Sequence, residues 1–143
     1  MKFRISIVLA TMIIAFIVGT GLFRYYRTQM TTLFEVQVPF DFRVGSSHLS
    51  AGDYRIFHAG SQLIFFQRDD GKANAWIPVM VSDTPPGKSA SKLVFNQYGN
   101  QYFLSQVWTA KDNQRHDCLP SRSERILAAS QHLSGEVTVM AKR

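Results

Sequence analysis

Two textures of hydrophobic and polar positions divide the chain. "ISIVLATMIIAFIVGTGLF", Ile5–Phe23, runs for nineteen residues without a charge. From Leu33 onward, apolar and polar positions alternate in short runs. "LFEVQV" (Leu33–Val38), "FDFRV" (Phe40–Val44), "DYRIFHA" (Asp53–Ala59), "QLIFFQR" (Gln62–Arg68) and "NAWIPVMV" (Asn74–Val81) read as strands, with period two and β-branched or aromatic residues. Pro39, Gly60-Ser61 and Asp70-Gly71 separate them, and Pro85-Pro86-Gly87 opens a polar loop.

"KLVFNQYGNQYFLSQVW" reads as a hairpin turning at Gly99-Asn100. Regular pairing would set Tyr98 opposite Gln101, Phe95 opposite Leu104 and Leu93 opposite Gln106. One face then carries Leu93, Phe95, Tyr102, Leu104 and Trp108, the expected core. The other, with Val94, Asn96, Tyr98, Phe103, Ser105 and Val107, reads as half covered. Ser121-Arg122-Ser123-Glu124 has capping-box spacing. The helix it starts, near 122–133, would dock through Ile126, Ala129 and Leu133 and stop at Gly135. "EVTVMA" (Glu136–Ala141) reads as a last strand. The expected fold is mainly β: an antiparallel β-sandwich or flattened barrel of about six to eight strands with one C-terminal helix. The expected organisation is an N-terminal segment over 1–27, a tether over 28–32 and a single domain over 33–143.

The charge-free run adds a membrane to this picture. It is longer than the usual apolar core of a cleaved signal and close to the ~20 residues that cross a bilayer. "RYYR", Arg24–Arg27, supplies headgroup tyrosines and arginines that reach water. The expectation is a single-pass inner-membrane helix that contacts the lipid bilayer through Ile5 to Phe23, with the domain on the periplasmic side. The alternative is a secreted chain after cleavage near Gly19-Thr20-Gly21. Lys2 and Arg4 oppose Arg24 and Arg27 almost evenly, so the positive-inside rule favours this orientation only slightly.

Charge argues against nucleic acid. Those four residues belong to the 16 basic ones, which leaves 12 against 10 acidic. The remainder is scattered, without the basic face a phosphate backbone requires. Cys118 is the only cysteine, so no intrachain disulfide forms.

Candidate chemistry is sparse. "VPFDFRVGSSHLSAGDYRI" (Val38–Ile56) holds Ser46, Ser47, His48, Ser50 and Asp53. Triad members normally converge from separate elements, and Gly-x-Ser-x-Gly is absent, so the stretch reads as turns. His48, His58, His116 and His132 share no spacing that gathers metal ligands. His116-Asp117-Cys118 reads as a polar loop before Pro120. Asp69-Asp70 suits a turn, and there is no phosphate-binding glycine loop. No catalytic, cofactor-binding or metal-binding residue is assigned, and no cofactor is expected. The leading expectation is a non-enzymatic binding or structural module whose protein or glycan partner the sequence does not name. One alternative is a hydrolase using His116 or His48 in an open groove. The other is a lipid or glycan binder with a cavity lined by Trp76, Tyr98 or Phe103.

Taken together, "VPFDFRVGSSHLSAGDYRI", "LVFNQYGNQYFLSQVW" and "LPSRSERILAAS" resemble a group of small exported bacterial proteins of unknown function, in order and spacing from about Phe34 to Ser130. The resemblance implies export and an all-β domain with a late helix. It brings no catalytic residues. The chain departs from the group at its N-terminus, where the relatives generally look cleavable.

Overall fold

A computed structural model of the chain describes residues 30–83 and 90–142. The expectations for Ile5–Phe23, for Arg24–Arg27 and for Pro85-Pro86-Gly87 lie outside them. Among the described residues no helix is long and apolar enough to cross a membrane.

Among the described residues the fold is mainly β with one helix. Its strands are β1 (Met30–Val38), β2 (Phe42–Val44), β3 (Ser47–Leu49), β4 (Gly52–Ala59), β5 (Leu63–Arg68), β6 (Asn74–Asp83), β7 (Lys92–Tyr98), β8 (Gln101–Thr109), β9 (Gln114–Cys118) and β10 (Gly135–Met140). The helix, α1, is Arg122–Ser130. Neighbours run β1-β4-β5-β6-β9-β8-β2-β3, with β7 on the other edge of β8 and β10 beyond it. The sheet is mixed because β2 meets β8 in parallel. The other ladders are antiparallel. Met30–Thr32, expected as tether, already pair with Phe57–Ala59.

β6 joins the two halves. Its residues Asn74–Pro78 pair with β5 and Val79–Asp83 pair with β9. Alternation puts Ala75, Ile77 and Val79 inward. They meet Val36, Tyr54, Ile56, Ile64 and Phe66 from one half, and Phe42, Leu93, Phe95, Leu104 and Val107 from the other. Phe42 packs edge-on against both Tyr54 and Phe95, with centroids 5.2 and 5.4 Å apart. Burying such side chains contributes about 1.5–3 kcal/mol each.

The β7–β8 hairpin turns where its sequence predicts. Gly99 takes φ 58°, a left-handed value that glycine adopts without strain. Tyr98 faces Gln101 and Phe95 faces Leu104 as expected, but Leu93 faces Val107 rather than Gln106. A bulge between Val94 and Phe95 leaves Ser105 as the extra residue and reverses the parity beyond it. Val107 therefore enters the core, whereas Trp108 stays outside, where it donates Nε1–H to Gln106 at 2.9 Å beneath the Lys92 ammonium.

Two further expectations change. His116-Asp117-Cys118 is not a loop but part of β9, whose polar sequence hides a strand held between β6 and β8. The helix ends at Ser130, and Gly135 begins β10 rather than stopping the helix. Ile126 and Leu133 are exposed, and so is Ala129. The Ser121 cap fixes the first turn, with Glu124 N–H donating to Ser121 Oγ at 3.1 Å. That turns Glu124 toward the sheet, where its carboxylate accepts from Asn96 Nδ2 at 2.9 Å. Tyr98 and Phe103, buried on the outer face of the hairpin, pack together with centroids 5.9 Å apart.

This packing sets an order of mutational costs. Phe66→Ala should cost about 3–5 kcal/mol, because it opens a cavity in the closed core. Glu124→Ala should cost about 1–3 kcal/mol, because it strands the Asn96 amide. Ile126→Ala should stay within about 0.5 kcal/mol. Urea denaturation of the three variants checks the order, and a large effect at Ile126 would restore the expected helix face.

Candidate functional site

The Val38–Ile56 stretch folds as short strands joined by tight turns, with Ser47 and His48 on β3 and Asp53 on β4. Asp41 Oδ1 accepts from Ala51 N–H at 2.8 Å, and Tyr54 Oη donates to the Ser50 carbonyl at 2.6 Å. Gly52 sits against Arg68, whose Nε would lie 3.1 Å from an added Cβ. Ser46 is exposed, whereas Leu49 is buried and anchors the turn. His48 lines an open depression of about 430 Å³ with Asp41, Arg43, Asn100, Gln101 and Tyr102. Asp53 instead bonds Lys142 Nζ at 2.7 Å, which raises the Lys142 ammonium's pKa. His48 and Asp53 therefore serve different neighbourhoods.

The aromatics expected to line a cavity are also dispersed. Tyr98 and Phe103 are buried on the outer face of β7–β8, while Trp76 lies exposed on β6, tilted against Phe65 at 4.2 Å. Burial, and secondarily the Glu124 carboxylate, raises the Tyr98 hydroxyl's pKa.

The structure does gather one pair of chemically capable groups. His58 lies on β4 in phase with Tyr54 and Ile56, which face inward. His116 lies on β9 in phase with Cys118, which packs against the core. Their ring centroids are 5.4 Å apart. His116 is completely buried, and among the described residues neither of its ring nitrogens, nor Nε2 of His58, has a hydrogen-bond partner. Beside the pair, buried Thr109 donates its hydroxyl to Asp112.

Spacing along the chain did not bring these histidines together; the sheet does. Period two in "DYRIFHA" already put His58 on the inner face. The sequence singles out His116 but not its place on an inward-facing strand, because β9 lacks an apolar signature.

The electrostatics favour a neutral His116. Burial lowers the His116 pKa, and the His58 ring lowers it further; Asp112 and Asp117 oppose the shift only in part. Cys118 has its thiol pushed far up by burial and by Asp117, so it is a packed apolar group rather than a nucleophile. Asp117 is engaged by Arg115 at 3.1 Å and by Ser82. No group of three or more metal-capable side chains occurs among the described residues. No family model, curated protein or solved structure matches the chain.

The histidine pair predicts a pH dependence. A histidine whose folded pKa is depressed contributes full stability above its unfolded value of about 6.5 and loses it as pH falls below that. Between about pH 7.5 and pH 5, the wild type should lose more stability than His116→Phe. Denaturation midpoints of both chains across that range check the difference, and parallel curves would contradict it.

Proposed function

We propose that the chain is a β-domain held on the periplasmic side of the inner membrane by Ile5–Phe23, serving as a non-enzymatic binding or structural module. The observation that carries the module reading is where the reactive groups lie. His116 and Cys118 are packed inside, and Asp53, Asp117 and Glu124 are engaged by Lys142, Arg115 and Asn96. Recognition then falls to the outer surface, because large side chains fill the interior.

We read the strand order as a flattened barrel. A bridge between Val36 and Ala141, and the Lys142 N–H donating to the Glu35 carbonyl at 2.8 Å, bring the end of the chain back against β1. The anchor reading rests on the uncharged run and its arginine–tyrosine flank. Only Arg24–Gln29 separate that run from β1. Six extended residues reach about 20 Å, which keeps the domain beside the bilayer. The resemblance to exported bacterial β-proteins supports the same compartment.

Membrane extraction tests the reading. The chain should stay in alkali-washed membranes with an uncleaved N-terminus, whereas release of a chain starting near Leu22 would contradict it. Ile13→Arg should reduce insertion, since arginine near the bilayer centre costs about 2.5–3.5 kcal/mol on insertion scales.

A further inference from the structure

The outer face of β1, β4, β5 and β6 is divided along the strand direction. Toward Val38 and Gly52 it is charged. Glu35 faces Arg55, Arg55 bonds Asp69 at 3.1 Å, and Asp53 bonds Lys142. Toward Met30 it is apolar. Phe57, Phe65 and Trp76 are register partners on three successive strands, with ring centroids 6.0 and 4.2 Å apart. Met30, Trp76 and Met80 are 45%, 44% and 52% exposed. Leu119, next after the Val79–Cys118 pair, is 50% exposed. Phe65 at the centre of the row is only 8% exposed, so the open apolar surface is formed by Met30, Trp76, Met80 and Leu119 around it, and such a surface marks an interaction site.

The position of Met30 selects the partner. β1 begins there, so residues 1–29 join the domain at its apolar end. A strand of nine residues is about 30 Å long, whereas the Arg24–Gln29 connection reaches about 20 Å. A span ending at Phe23 therefore brings the Met30 end to the lipid and leaves the charged end farther away. Tryptophan and methionine suit that boundary: an indole ring settles at the headgroup level, and a thioether adapts to acyl chains.

We propose that the Phe57–Phe65–Trp76 face rests in the headgroup layer of the bilayer that holds Ile5–Phe23, so that the membrane is a docking surface for the folded domain as well as its anchor. The proposal builds on the anchor reading above.

The test uses the full chain in phosphatidylcholine–phosphatidylglycerol vesicles with acyl-brominated lipid as the quencher. Trp108→Phe leaves Trp76 as the only tryptophan, and Trp76→Phe leaves Trp108. Floated vesicles of Trp108→Phe should lose the larger part of their tryptophan emission to brominated lipid, while those of Trp76→Phe keep theirs. The unmodified chain, losing only the Trp76 share, keeps the test independent of either substitution. A chain that floats, with Trp76 unquenched by lipid but open to aqueous iodide, overturns the docking and leaves the anchor standing. Trp76 shielded from both quenchers assigns the face to a second copy or to another segment of the chain, and also overturns it. A chain that does not float overturns both readings.

Discussion

β6 pairs with β5 along its first half and with β9 along its second, so one continuous backbone ladder carries both halves of the sheet. Its strict alternation decides what lies on each side. Ala75, Ile77 and Val79 must face inward together, and Asn74, Trp76, Pro78 and Met80 must face outward together. A shift by one residue would put Trp76 in the core and Ile77 in water, exchanging the two faces at once. The inner face holds the Phe42–Tyr54–Phe95 contacts that close the core. The outer face ends the aromatic row that starts at Phe57.

The same alternation accounts for the inward-facing histidines, His58 half-buried and His116 fully buried. His58 and His116 occupy inner positions that the sheet geometry assigns to apolar side chains, on strands from opposite halves. The His116 ring packs there at the cost of two unpartnered nitrogens, which destabilises the fold and makes its place in the interior sensitive to protons. The Asp112 and Asp117 carboxylates temper the His116 shift without removing it. The interior thus contains a buried imidazole that resists protonation, while charged side chains on the outer surface form exposed pairs of small energetic weight.

Much of the fold was legible in the sequence because the relevant forces are local. Period two marked β1, β4, β5 and β6, glycine placed the β7–β8 turn, and Ser121 with Glu124 placed the start of α1. What was missed depends on distant parts of the chain. β9 is a strand because β6 and β8 hold it, not because "QRHDC" has strand character. The bulge opposite Val94 and Phe95 exchanged Trp108 for Val107, and the alternation within β8 cannot show the extra residue, Ser105, in advance. The helix face followed the capped Glu124 and its hydrogen bond to Asn96 rather than the Ile126–Leu133 stripe. The His58–His116 pair required the complete strand order. The Val38–Ile56 stretch reads as turns in the sequence, whereas Ser47–Leu49 pair with β2 as β3 and Asp53 pairs with β1 as part of β4.

The account places a two-faced β-domain against lipid with its Met30 end down. Paramagnetic relaxation of backbone amides by a gadolinium-labelled headgroup lipid, measured on the full chain in lipid nanodiscs, tests this most directly. The account predicts the strongest broadening at Met30, Ala59, Leu63, Trp76 and Met80, fading toward Gln37, Asp53 and Asp69. Broadening strongest at the charged end, or centred on α1, would contradict it.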